Sequence, residues 1–194
     1  MFLPSNLFSI KQFVEPAVCD QIVAEMRIAA GSAATVYGVA RSGTIDVNVR
    51  RTLRVRPADE IVKLVTDRLL ASKAEIEKHF DVRLTECEEP QFLRYREGDF
   101  FVAHQDGNTG LLRLDSERRL ISTVIFLTRE SAQPLQNSHS GGSLVFTDRH
   151  APLGRDKFHF TAEPGTLVAF RSETTHEVTP VTRGERLSVA SWYR

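Results

Sequence analysis

Cysteine is nearly absent from this chain. Its 194 residues include two, Cys19 and Cys87, far apart, so no disulfide framework or cysteine-built zinc site is expected. Packing is the default role for Cys87. Net charge is absent as well, with 25 basic residues balancing 25 acidic ones. That balance removes the broad electrostatic case for nucleic acid or an anionic membrane as partner. A local basic cluster remains at Arg50, Arg51, Arg54 and Arg56. No apolar run approaches the length that spans a bilayer. The opening Met1-Phe2-Leu3-Pro4-Ser5-Asn6 lacks the basic start and apolar core of a secretory signal, so the reducing cytoplasm is the expected compartment. There is no glycine-rich phosphate loop, Ser-His-Asp arrangement, internal repeat or low-complexity tract. Gly107-Asn108-Thr109-Gly110 reads as a turn.

What is present is an ordinary globular composition, 41% hydrophobic, in a chain sized for one domain with a sizeable core. Residues 16–30 read as a helix: Pro16 suits the first turn, Val18, Ile22 and Met26 recur at helical spacing, and Gly31 is the expected terminator. Tyr37–Arg56 alternates and reads as extended, with turns near Gly38 and Gly43. A second helix is expected from near Pro57 to His79, with Asp59 and Glu60 at its positive end and Ile61, Val65 and Leu69 on its buried stripe. From Val82 the pattern is β. Expected strands are Gln91–Tyr95, Phe100–Asp106, Leu120–Leu127, Gly142–Phe146, Gly165–Phe170, Glu177–Val181 and Arg186–Tyr193. Short strands between turns indicate a sandwich or barrel. Segments 107–118 and 128–141 are read as long polar loops at its mouth.

The chemistry concentrates in Phe92–Asp106 and around His176. His104 and Asp106 are two apart, so on a strand both side chains face one way. A second imidazole from a distant strand, such as His176, would complete a 2-His-1-carboxylate face, which holds Fe(II) and leaves positions open. Alone, His104-x-Asp106 is equally a surface pair. His79, His139, His150 and His159 have no partner at ligand spacing and read as surface or satisfied core residues. Beyond the triplet come Gly141-Gly142 opening Ser143-Leu144-Val145-Phe146, then Glu163–Phe170, His176–Val181, Arg186-Leu187-Ser188 ten positions past His176, and Trp192.

Jointly these residues resemble the Fe(II)/2-oxoglutarate-dependent dioxygenases, within them the prolyl 4-hydroxylase-like branch, over about residues 87–194. The resemblance implies a mostly β fold with supporting α-helices, a double-stranded β-helix (jelly-roll) barrel. It implies one domain over 1–194, with helical support over about 1–80 and the barrel over about 82–194. It makes His104, Asp106 and His176 the iron ligands and implies Fe(II), 2-oxoglutarate and O2, with ascorbate as reductant. Arg186 is then matched to the distal carboxylate of the co-substrate, because a buried charge needs a partner and guanidinium offers a two-pronged one; many relatives carry Lys there. Tyr95, nine residues before His104, and Ser188 are the further co-substrate candidates. Phe126 stands where some relatives place a second tyrosine, a lost hydroxyl that Thr123 or Ser188 would replace. Arg119 and Trp192 fall where peptide-hydroxylating relatives contact substrate, although a solvated charge and a packed ring are equally open. Arg50, near the substrate flap of such relatives, is a candidate for a substrate carboxylate or carbonyl, and segments 38–52 and 107–118 are expected to border the iron pocket. Arg183 reads as a turn residue. The expected partner is a peptide or small-molecule substrate. The alternatives are a hydroxylase of a free amino acid or metabolite, and a non-catalytic 2-oxoglutarate- or oxygen-sensing module.

Overall fold

Ile61, Val65, Leu69 and Ile76 form one buried stripe of an unbroken helix, and that stripe backs the largest sheet. The computed structural model describes residues 6–35, 45–107, 118–148 and 156–194. Helix α1 spans Pro16–Ile28 and α2 spans Asp59–Phe80. Asp59 and Glu60 occupy the first turn of α2 and Lys78 and His79 its last, each matched to the helix dipole. Asp81 ends α2 in the left-handed conformation, φ 50°. Contrary to expectation, Gly31 does not terminate α1. The helix stops at Ile28, with Ala29 extended, and Gly31 opens the edge strand Gly31–Ala33 against Val55.

Among the described residues, seven strands form one sheet in the order Leu7–Ile10, Leu167–Arg171, Ile121–Phe126, Arg186–Tyr193, Gln91–Tyr95, Leu53–Val55, Gly31–Ala33. Five form a second, ordered Asp156–Phe160, Leu144–Asp148, His176–Val178, Phe100–His104, Arg50–Arg51. The strand Arg186–Tyr193 shows how the layers are set. Leu187, Val189 and Tyr193 pack with Ile22, Met26, Val65 and Leu69 of the helices, whereas Arg186, Ser188, Ala190 and Trp192 line a cavity on the opposite face. That is the period-two alternation of a strand, and a one-residue slip would exchange core and site. Phe126, Val168 and Phe170 of the large sheet meet Leu144 and Phe146 of the small one across the gap.

Two facing sheets backed by helices are the jelly-roll arrangement, but no closed barrel is seen among the described residues. A second correction concerns 128–141. This stretch is not all loop: Arg129–Glu130 and Ser138–Gly141 pair in parallel and add Val181–Gly184 as a third strand. The expected strand Glu177–Val181 is likewise two, His176–Val178 and Val181–Gly184, interrupted at Thr179-Pro180, because proline has no N–H for a ladder. Asp46 to Val49 turns into the short strand Arg50–Arg51. The turns expected at Gly38 and Gly43 lie outside the described residues, as does 108–117 of the first polar segment. No described helix is long and apolar enough to cross a membrane.

Candidate active site

The register of the small sheet sets His176 directly opposite His104. Between this pair and the next, Val178 opposite Phe101, one strand advances two residues and the other three, which is a β-bulge in Phe100–His104. The bulge turns Phe101 onto the same face as His104, and their rings stack 3.5 Å apart between centroids. Asp106 follows the end of the strand, its backbone N–H donating to Ser172 O at 2.9 Å. The three side chains then converge, with their ligand atoms all within 4.8 Å of one another. Asp106 Oδ1 lies 3.4 Å from His104 Nε2 and Oδ2 lies 3.5 Å from His176 Nε2.

This donor set fits a divalent metal. Nδ1 of His104 sits 2.9 Å from Val102 O, and Nδ1 of His176 sits 2.9 Å from Thr174 O. A carbonyl only accepts, so Nδ1 carries the proton in each ring and Nε2 turns a lone pair toward Asp106. Burial pushes the His176 imidazole down to about 4, reinforced by His104, which keeps it neutral as ligation requires. Burial alone would raise the Asp106 carboxyl. Against that, His176 and His104 when protonated, together with a hydrogen bond from Trp192, hold it well below the usual carboxylate range.

Beside the triad lies a cavity of about 350 Å³, and Arg186 forms part of its wall. Arg186 is 2% exposed and its Nη1 donates to Ser188 Oγ at 2.7 Å. Its guanidinium carbon lies 5.2 Å from the Tyr95 ring centre and 5.6 Å from that of Phe126. Nε has no hydrogen-bond partner, and burial pushes the guanidinium below its ordinary pKa despite Tyr95 and Glu130 nearby. A buried cation with no ion-pair partner among the described residues is a fit for an arriving carboxylate.

Of the other expected site residues, Tyr95, Ser188, Arg50, Arg119 and Trp192 all line this cavity, as do Val49 and Gly107 from the segments expected to border it. Arg119 is already engaged: Nε and Nη2 donate to the two oxygens of Glu88 at 2.8 and 2.6 Å, and the guanidinium stacks 3.9 Å over Trp192. Thr123 donates to Ser191 O, so Ser188 is the hydroxyl that meets Arg186. His139 is a satisfied core residue, 3.1 Å from Thr128 Oγ1, and burial pushes it down to about 3. Arg183 turns outward to Ser131 O and Ala132 O. Glu88 and Phe101 were not anticipated. On a regular strand Phe101 and His104, three apart, face opposite ways, and only the bulge joins them.

A metal-ready His-Asp-His face beside an unpaired buried arginine, held between two facing sheets, defines a class, and comparison with known proteins agrees. The sequence model of the 2OG-Fe(II) oxygenase superfamily matches residues 90–194, and the chain belongs to that superfamily. It is an oxygenase of a class that works with Fe(II), 2-oxoglutarate and O2. Among its relatives is a PKHD-type hydroxylase of Burkholderia lata, 30% identical over 173 residues that cover 88% of this chain and 71% of that protein. Another PKHD-type hydroxylase, from Acidovorax ebreus, is 27% identical over 171 residues with the same shares covered. In fold the chain is similar to a Pseudomonas putida prolyl-4-hydroxylase, with a TM-score of 0.66 and 24% identity over 97% of this chain and 92% of that one.

Proposed function

We propose that the chain is a single-domain hydroxylase in which His104, Asp106 and His176 hold Fe(II) and Arg186, with Ser188 and Tyr95, holds the distal carboxylate of 2-oxoglutarate. The observation that carries this reading is Arg186, a buried cation without an ion-pair partner among the described residues, in the same cavity as the triad. Iron with 2-oxoglutarate and O2 supplies oxidation of an unactivated C–H bond, with succinate and CO2 as co-products. The chain's residues do the rest. Val102 O and Thr174 O fix the imidazole tautomers, and Trp192 orients Asp106 by its hydrogen bond. Ser188 aims the guanidinium, and Tyr95, Phe126 and Leu144 keep its surroundings dry. The carboxylate of Asp106 favours hydroxylation over halogenation, in which that position is given to chloride. A prolyl group, on which the similar prolyl hydroxylases act, is the favoured substrate chemistry, with ascorbate as reductant. Balanced charge and two free cysteines suit a cytoplasmic setting.

The test is 2-oxoglutarate binding with and without metal, followed by succinate formation. Binding should require a divalent ion, and succinate should require both iron and O2. Asp106→Ala should lose metal binding and with it both signals. Metal-independent 2-oxoglutarate binding without succinate would favour a sensing module.

A further inference from the structure

A second guanidinium reaches the cavity without a carboxylate partner among the described residues. Arg50, on the edge strand of the small sheet, is 9% exposed. Its Nη1 donates to Thr35 O at 3.2 Å, while its Nε is buried with no hydrogen-bond partner. With Nη1 tied to Thr35, the edge that carries the unpartnered Nε is Nε–Nη2, whose two parallel donors are spaced for the two oxygens of a carboxylate. The group is held in place by Phe101, whose ring centre lies 4.7 Å from the guanidinium carbon. Phe101 in turn stacks on His104. The cation therefore stands one aromatic ring from a triad imidazole, on the sheet opposite Arg186.

Charge balance points the same way. Among the described residues that line the cavity, Asp106 is the one carboxylate, and the cations are Arg50, Arg54, Arg119 and Arg186. Glu88 cancels Arg119. A divalent metal, Asp106, a dianionic co-substrate and Arg186 cancel among themselves. Arg50 and Arg54 are left over, and a low-dielectric pocket with excess positive charge selects an anion.

We propose that Arg50 docks a free carboxylate of the substrate, so that the enzyme acts on a carboxylic acid rather than on an internal stretch of peptide. This inference rests on the oxygenase reading above. The acid is a small free molecule or the C-terminus of a peptide, which share this chemistry.

The chain's single tryptophan, Trp192, lines the cavity and reports binding by its fluorescence. The protein is loaded with Zn(II) and saturating N-oxalylglycine, so that the co-substrate position is taken. It is then titrated with matched acid and amide pairs: N-acetyl-L-proline against N-acetyl-L-prolinamide, and a proline-ending hexapeptide with a free against an amidated C-terminus. In one pair or both, the acid should bind on the order of 10- to 10²-fold more tightly, and the pair that shows it names the source. Arg50→Gln should shrink that preference to a few-fold, and Arg50→Lys should keep part of it. Equal binding of acid and amide to the wild-type protein, or no binding of either acid, overturns the proposal without any variant. Undiminished preference in Arg50→Gln, or in Arg50→Lys equal to wild type should Arg50→Gln fail to fold, also overturns it. Failure of N-oxalylglycine itself to bind is a different result. It would contradict the oxygenase reading, and the same acid and amide titrations on the Zn(II)-loaded protein would still decide the role of Arg50.

Discussion

Arg186 and Arg119 lie on the same wall of the cavity and both are at least nine-tenths buried, yet their surroundings differ. Arg119 meets both oxygens of Glu88 and stacks on Trp192. Arg186 meets one hydroxyl and two aromatic faces. A buried guanidinium that has its carboxylate contributes to the fold. One that lacks it costs stability until something anionic arrives. Charge and residue type are the same at the two positions, so the distinction between scaffold and site lies in the partner.

The largest effect that would break this comparison is on co-substrate affinity. Arg186→Met should weaken 2-oxoglutarate binding by a factor on the order of 10² to 10³, the worth of a lost partner in a buried pair, while metal binding stays near normal. Isothermal titration of metal-loaded protein measures both. Arg186→Lys should retain part of the affinity, because charge survives though the fork does not. Unchanged affinity in Arg186→Met would move the role to another residue.

Stability sharpens the contrast, because the two arginines should respond with opposite sign. In the ligand-free chain, Arg186→Met removes an unpaired buried charge and should raise stability by about 1 kcal/mol or more. Arg119→Met leaves Glu88 with Arg194 alone and takes the donor from its Oε2, and should lower it by about 1–3 kcal/mol. Urea unfolding of the two variants side by side reads the difference, and destabilisation by both would make Arg186 another structural cation. A smaller change is expected from Gly142→Ala. Gly142 has φ +65°, and an added Cβ would stand 2.9 Å from Val181 Cγ2 and 3.1 Å from Arg186 Cδ. Beyond a strain of about 1–2 kcal/mol, this should displace the guanidinium and raise the KM for 2-oxoglutarate several-fold, which the equivalent change at exposed Gly31 should not do.

The smallest effect is on acid stability. Burial acts to raise the Glu88 carboxyl, but Arg119 and Arg194 outweigh it and hold it below its ordinary 4.5. A depressed carboxylate contributes its stability above the unfolded value and loses it as pH falls through the folded one. Wild-type stability should therefore decline below about pH 4.5 more steeply than that of Glu88→Gln, in which this group no longer titrates. Parallel acid limbs would mean that the Glu88–Arg119 pair is inert.

How much of this was legible depends on how local each signal is. Gln91–Tyr95 and Arg186–Tyr193 follow from alternation alone and match the structure end to end. The α2 stripe follows from Ile61, Val65 and Leu69. The triad and Arg186 stand out only through the family that the motifs jointly resemble, since His104-x-Asp106 alone reads equally as a surface pair. Arg129–Glu130 and Ser138–Gly141 do not, because polar residues and glycines carry no alternation and these strands are defined by pairing, Ser138–Gly141 with distant Val181–Gly184 and Arg129–Glu130 with Ser138–Gly141. Leu7–Ile10 and Asp156–Phe160 are edge strands, each paired on one side only. The pairing of Arg119 with Glu88, 31 positions away, was hidden for the same reason, so sequence alone left Arg119 open between substrate contact and a solvated charge.

The most direct measurement is a crystal structure of the protein loaded with Zn(II) and N-oxalylglycine. The account predicts one metal at about 2 Å from His104 Nε2, His176 Nε2 and an Asp106 oxygen, with the distal carboxylate of the ligand on Arg186 and Ser188 and with Arg119 still on Glu88. A distal carboxylate held by Arg50 or Arg119, or a metal bound away from the three residues, would contradict it.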